Sequence, residues 1–141
     1  MKIRPSVAIN RDGKILLMKY IYGGVEVYNL PGGNAEELES IAETVRRELI
    51  EEMSLEIEVG DMILVGETHQ ELKNNSVLHL VFNATITKGE PILNPEHTSA
   101  LEVVWIEQDK IASLNMYPNV GNVLYKSRKH PYVGTINQNW F

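Results

Sequence analysis

The sequence contains no cysteine, which excludes disulfide bridges, thiolate zinc sites and cysteine nucleophiles. It also lacks any apolar run close to the roughly 18 residues that a membrane-spanning helix requires. The first ten residues, MKIRPSVAIN, have no apolar core of the kind found in secretory signals. We therefore expect a cytoplasmic protein that makes no contact with a membrane.

Positive charge is scarce, because 13 lysines and arginines face 19 acidic residues and the formal net charge is −6. A protein that binds a nucleic-acid backbone usually carries a basic stripe, whereas the one notable basic cluster here is Lys126, Arg128 and Lys129. Such a short cluster is more typical of a solvated segment end. A nucleic-acid polymer is thus not expected as a partner. A small anionic substrate would need a divalent metal to attract it.

The length of 141 residues, with 43% hydrophobic and 23% charged residues, predicts a single domain over residues 1–141. An Asp12-Gly13 turn between two β-rich runs indicates a hairpin. Further along, the apolar period changes from strand to helix and back. The predicted elements are strands at 7–9, 14–18, 25–30, 55–65, 77–87 and 101–106, helices at 39–53 and 120–128, and a helical turn at 111–114. This order predicts the α/β (α+β) class, with a mixed β-sheet between helices.

The predicted helix at 39–53 has one apolar face. Its apolar residues recur at helical spacing, and the stripe consists of Leu38, Ile41, Ala42, Val45 and Leu49. At about 100° per residue, the carboxylates of Glu48, Glu51 and Glu52 fall within roughly 100° of arc and about one turn, at the border of this stripe. The helix should therefore hold three acids at the junction between solvent and core.

Clustered acids cost stability, because like charges four residues apart on a helix repel each other. Hard divalent cations such as Mg²⁺ are bound by carboxylate oxygens and keep several waters for substrate phosphates. The adjacent Gly32 and Gly33 allow backbone to approach the same place without an intervening side chain. A metal site is one interpretation of this pattern, and a solvated acidic helix face is the other.

The segment 33–55, GNAEELESIAETVRRELIEEMSL, resembles the Nudix box, written G-x5-E-x7-R-E-U-x-E-E-x-G-U with U aliphatic. The matching positions are Gly33, Glu39, Arg47, Glu48, Leu49, Glu51, Glu52 and Leu55. Ser54 departs from the pattern, since the box has a glycine there. That glycine follows the helix, where a left-handed conformation is common, so serine should cost about 1 kcal/mol of stability.

The resemblance implies a Nudix-like fold and a magnesium (or manganese) cofactor. It implies Glu48, Glu51 and Glu52 as side-chain ligands, with the Gly33 carbonyl as a fourth. It further implies that Glu39 and Arg47 form an ion pair that orients the helix, and that Gly32 supports the site.

The general base is left open by the sequence. A box glutamate such as Glu52 is one candidate, and Glu96, in a loop before a late strand, is the other. His97 and Glu102 are weaker alternatives. Arg47 completes the set of catalytic candidates.

The function implied is hydrolysis of the phosphoanhydride linkage in a nucleoside diphosphate derivative, such as a nucleoside triphosphate or ADP-ribose. The alternative is a catalytically inactive Nudix-fold module that senses a nucleotide. The resemblance implies that the related isoprenoid diphosphate isomerases use a catalytic cysteine. Because this chain has no cysteine, that function is disfavoured. Tyr28 and Trp105 are candidates for stacking on a base, and Lys19 for contacting a phosphate. The sequence leaves the substrate, the number of metal ions and a homodimeric state open.

Overall fold

The computed structural model describes residues 1–138, so the last three residues of the predicted domain lie outside this description. Within these residues the chain forms eight strands and one α-helix, with 3₁₀ turns at Glu71–Lys73 and Gln108–Ser113. The elements are β1 (Lys2–Arg11), β2 (Lys14–Tyr22), β3 (Val25–Asn29), α1 (Ile41–Met53), β4 (Glu56–Gln70), β5 (Asn75–Lys88), β6 (Glu102–Glu107), β7 (Met116–Tyr117) and β8 (Tyr132–Thr135).

The sheet is mixed, with the strand order β7-β3-β2-β1-β5-β4-β8 and β6 paired to β2. The pairs β1–β5, β4–β8 and β3–β7 are parallel, and the remaining pairs are antiparallel. Strand β1 pairs with β2 only beside their hairpin, at Asn10↔Ile15 and Arg11↔Lys14, and its longer part pairs with β5. The predicted mixed α+β fold class is confirmed.

Strands β1 and β2 are buried on both faces. Alternate residues belong to different clusters, since Val7 and Leu16 pack in one cluster and Ala8 and Ile15 in the other. Burial on both faces explains why these strands have continuous apolar runs rather than alternating ones. Val45, Leu49 and Met53 of α1 cover the first face.

The second face is covered by a segment without α-helix, so the predicted helix at 120–128 is wrong. Residues 121–125 form turns, although Val120 and Leu124 are buried against the sheet. Glycine and asparagine are poor helix formers, and they occupy three of the four positions 119–122. Gly121 also packs so closely on the Ile111 carbonyl that a Cβ would overlap it. Within residues 1–138, an α-helix therefore covers only one face of the sheet, whereas helices were predicted on both faces.

Helix α1 begins later than predicted, because Ser40 is its N-cap and accepts a hydrogen bond from the Glu43 backbone N–H at 3.1 Å. Leu38 precedes the cap, is fully exposed and has a φ of 64°, so it does not belong to the apolar stripe. Within residues 1–138, no helix combines the length and the apolar character needed to cross a membrane.

Ser54 ends α1 in the left-handed conformation, with φ 56° and ψ 35°. Glycine adopts this conformation without the steric cost that a Cβ brings. We expect Ser54→Gly to raise the free energy of unfolding by up to about 1 kcal/mol, measured by urea denaturation. Asn74→Gly is the matched control, because asparagine tolerates its φ of 47° better than serine does. An equal gain in both variants would contradict this interpretation.

His79 is fully buried and shares a 3.0 Å hydrogen bond with the Thr68 hydroxyl. Burial, reinforced by the nearby Arg4 charge, lowers the pKa of His79 from 6.5 to about 3. The unfolded chain therefore binds a proton on this ring below pH 6.5 that the folded chain binds only near pH 3. Stability that is complete above pH 6.5 should be lost as the pH falls through this window, by about 2 kcal/mol at pH 5.

We expect His79→Gln to reduce the difference in unfolding free energy between pH 7.5 and pH 5 by about 2 kcal/mol relative to the unmodified chain. Chemical denaturation at both pH values measures it. His130→Gln, at an exposed histidine, is the control and should leave the difference unchanged. If the His79 variant loses as much stability between pH 7.5 and pH 5 as the unmodified chain does, the lowered pKa of His79 is refuted.

Candidate active site

Arg47 is the centre of a network of ion pairs on α1. Its Nε and Nη2 donate to the two carboxylate oxygens of Glu39 at 2.7 and 3.1 Å. Its Nη1 donates to Glu48 at 3.0 Å and to Glu51 at 3.2 Å. The hydrogen bonds from Arg47, and then from the Thr44 hydroxyl, lower the pKa of Glu39 to about 2. One guanidinium thus fixes three carboxylates.

Glu52 is held differently, because it is only 7% exposed and its Oε1 has no hydrogen-bond partner among the described residues. Burial and the neighbouring Glu48 charge raise the pKa of Glu52 well above that of an ordinary glutamate, and Arg4 opposes this rise. A buried carboxyl oxygen without a partner is energetically costly. Such an oxygen beside a second carboxylate, here that of Glu48, is expected where a protein binds a cation.

Gly32 and Gly33 bring the chain close to both β1 and α1. A Cβ on Gly33 would overlap the carboxylate of Glu48, so this carboxylate packs directly on the glycine backbone. A Cβ on Gly32 would overlap the Pro5 carbonyl and approach the Ser6 Cα to 2.7 Å. The bend therefore places the Gly33 backbone next to the acidic cluster.

Glu96 lies in a loop that is attached to the end of α1. The Asn94 N–H donates to the Glu52 carbonyl at 2.9 Å, and the Thr98 hydroxyl lies 2.8 Å from that of Tyr20. The Glu96 side chain is exposed. The structure thus brings the loop backbone to the acidic cluster, while the Glu96 carboxylate projects towards solvent.

The weaker candidates for the base have different surroundings. His97 is exposed in the same loop. Glu102 belongs to β6 and forms a 3.5 Å ion pair with Lys19, which also pairs with Glu26 at 3.1 Å.

The four acids and Arg47 form one cluster, but they do not form a finished metal site. Within residues 1–138, no three His, Asp or Glu side chains stand close enough to hold a metal as they are placed. The hydrogen bonds from Arg47 account for this arrangement, since they turn Glu48 and Glu51 towards the guanidinium.

Arg4, a buried cation on β1, is not among the predicted site residues. Arg4 is 7% exposed, donates from Nη2 to the Leu30 carbonyl at 3.1 Å and has an Nη1 without a partner among the described residues. Its guanidinium lies 4.8 Å from the centre of the Tyr117 ring. The available signal was a charged residue inside a run that otherwise reads as a buried strand.

The proposed stacking residues are engaged elsewhere. The Arg11 guanidinium lies over the Trp105 ring, 4.8 Å from the ring centre. The Tyr28 hydroxyl donates a hydrogen bond to Glu26 at 3.3 Å.

The model of the NUDIX domain family matches residues 4–126. The E. coli ORF135 protein superposes with a TM-score of 0.70 and 22% identity, over 88% of this chain and 86% of that chain. A MutT NUDIX hydrolase from Burkholderia pseudomallei gives 0.68 and 26%, over 77% and 84% of the two chains. An ADP-ribose pyrophosphatase from Streptococcus suis gives 0.64 and 21%, over 96% and 98%. Comparison with curated proteins yields no match.

The two glycines of the bend should respond differently to a methyl group. At Gly32 an alanine meets backbone, which cannot move aside, and at Gly33 it meets the end of the Glu48 side chain. We expect Gly32→Ala to lower the free energy of unfolding by about 1–3 kcal/mol and Gly33→Ala to lower it by clearly less. Thermal and urea unfolding measure both variants. Equal losses would show that Glu48 is as immovable as the backbone.

Proposed function

This chain belongs to the Nudix family and is a Nudix-type diphosphate hydrolase, and from that premise we propose that it cleaves a nucleoside diphosphate derivative with Mg²⁺ or Mn²⁺. The observation that carries the proposal is the buried Glu52 oxygen without a partner, beside Glu48 and the Gly33 backbone. The substrate is a small nucleotide rather than a nucleic-acid polymer, in keeping with the net charge of −6.

The donor set suits a hard divalent cation. Glu48, Glu51 and Glu52 offer carboxylate oxygens, and the Gly33 carbonyl would add a neutral oxygen. When bound, the ion supplies positive charge to the phosphate oxygens and makes an attacking water more acidic.

Arg47 acts on the site by positioning the acids rather than by touching the substrate. Its fork holds Glu39 at 2.7 Å and keeps Glu48 and Glu51 within hydrogen-bonding distance. Glu39 in turn is fixed by the hydroxyl of Thr44, the fourth residue of α1, at 2.7 Å. The carboxylates therefore start from defined places, which limits the entropy lost when a cation is bound.

We assign the acceptance of the water proton to Glu96 and keep Glu52 as the alternative. The Glu96 loop is bonded to the Glu52 carbonyl, so its exposed carboxylate can approach substrate from the solvent side. A nucleoside triphosphate and an ADP-ribose-like substrate remain the two leading classes, and the Streptococcus suis protein, which matches 96% of this chain, carries the name ADP-ribose pyrophosphatase. One domain over residues 1–141 belongs to the same proposal. The cytoplasmic location and a homodimer stay predictions.

We expect Glu52→Gln to reduce Mg²⁺-dependent hydrolysis more than tenfold, because it removes a charged ligand from the buried end of the cluster. The melting temperature should stay the same or rise, since a buried carboxyl oxygen without a partner is replaced by a neutral amide. The assay is a panel of nucleoside diphosphate derivatives with Mg²⁺ and with a chelator, the products being separated by chromatography.

Glu43→Gln is the matched control, because Glu43 is an exposed acid on the same helix and should keep full activity. Glu96→Gln distinguishes base from ligand. It should lower kcat without raising the Mg²⁺ concentration needed for half-maximal rate, whereas Glu52→Gln should raise that concentration. Full activity of Glu52→Gln would refute the metal site. Nucleotide binding without any hydrolysis would favour the sensing module.

A further inference from the structure

The loop that joins β5 to β6, residues 89–101, carries Glu96 on an exposed turn. On the N-terminal side of this turn, the Asn94 N–H donates to the Glu52 carbonyl at 2.9 Å. The Asn94 side-chain oxygen accepts from the Glu96 N–H at 3.1 Å, and its carbonyl accepts from the Thr98 N–H at 3.0 Å. The start of the turn is therefore fixed to the end of α1.

The C-terminal side of the same turn is fixed to β2. The Thr98 hydroxyl lies 2.8 Å from the Tyr20 hydroxyl and accepts from the Ala100 N–H at 3.1 Å. A threonine hydroxyl has one proton and two acceptor positions, so both hydrogen bonds can form at once. The Leu101 N–H then donates to the Lys19 carbonyl at 2.8 Å. The loop is thus held by a bond between side chains as well as by its backbone.

Tyr20 is the rigid partner in this hydrogen bond. It is 7% exposed and packs in the core cluster that α1 covers, and its ring stacks on that of Tyr22 at a centroid distance of 5.5 Å. Burial raises the pKa of Tyr20 to about 12, so the hydroxyl keeps its proton at neutral pH. A buried phenol needs a hydrogen-bond partner, and here a loop residue provides it.

The hydrogen bond lies beside the acidic cluster. Tyr20 is on the face of β2 that carries Leu16 and Met18, and this face packs against α1. The charge of Glu52 is close enough to contribute to the raised pKa of Tyr20. The turn that carries Glu96 is therefore attached at two points, and both points lie close to Glu52.

We propose that the hydrogen bond between Tyr20 and Thr98 positions Glu96 for accepting the water proton, so that both are positioning residues of the reaction. This inference rests on the proposed function, in which Glu96 is assigned that step. A turn attached only at Asn94 could pivot about that point, and a displacement of about 1 Å can lower a rate about a hundredfold. The attachment at Thr98 removes this freedom.

The first test removes one hydroxyl at a time with little change of shape. Tyr20→Phe and Thr98→Val should each lower kcat for Mg²⁺-dependent hydrolysis about tenfold and change KM less than twofold, because the acids of α1 stay in place. Thr98→Ser keeps the hydroxyl and should restore at least half of the rate. Ser99→Ala, at an exposed hydroxyl of the same loop, is the matched control and should keep full activity.

The second test combines Tyr20→Phe with Glu96→Gln. If the hydrogen bond acts through Glu96, the double variant should have the kcat of Glu96→Gln alone. Amide hydrogen exchange of the folded chain gives a readout that does not depend on catalysis. Tyr20→Phe should speed exchange of the Ala100 N–H at least fivefold and leave that of the Asn94 N–H unchanged.

Full activity of both Tyr20→Phe and Thr98→Val, or a further tenfold loss in the double variant, would overturn the proposal and leave the proposed function standing. Full activity of Glu96→Gln would also overturn it, because Glu52 would then be the base. If the unmodified chain hydrolyses no nucleotide, the proposed function fails and the catalytic role of the hydrogen bond fails with it. Faster exchange at Ala100 would then still support the attachment of the loop, and unchanged exchange would refute it.

Discussion

The two-pronged pairing of Arg47 with Glu39 orients the guanidinium that fixes Glu48 and Glu51 on α1. Guanidinium and carboxylate match in geometry, so the pair sets an orientation as well as a distance. Because Glu39 precedes the helix and Arg47 lies within it, the pair also ties the glycine bend to α1. The third nitrogen of the fork then determines where Glu48 and Glu51 lie. Lysine could provide the charge but not this fork.

Glu52 is the acid that this network does not reach, and the double-sided core explains why it can stay buried. Leu49 and Met53, on either side of it along α1, are fully buried against β1 and β2. These contacts hold the helix on the sheet although the cluster of like charges opposes it. The apolar stripe thus provides the stability that allows a costly carboxyl group at the border of the core.

Local patterns predicted the parts of the fold that depend on neighbouring residues. The Asp12-Gly13 hairpin, the strands around it and the body of α1 follow from turn chemistry and apolar period, whereas the left-handed Ser54 was expected from the glycine that the Nudix box has at this position. The segment 120–128 was predicted wrongly, because burial of Val120 and Leu124 at helical spacing does not require a helix when glycine and asparagine interrupt it. Arg4 and Tyr117 come from β1 and β7, and only the sheet order brings them together. No short-range pattern contains that information.

Three cations of the chain are already engaged by other side chains or buried. Arg47 is committed to three carboxylates, and Lys19 is paired with Glu26 and Glu102. Arg4 is buried behind the Tyr117 ring. Arg47 and Lys19 cannot neutralise a diphosphate without breaking these ion pairs. On the proposed function, the divalent ion therefore provides affinity for the diphosphate.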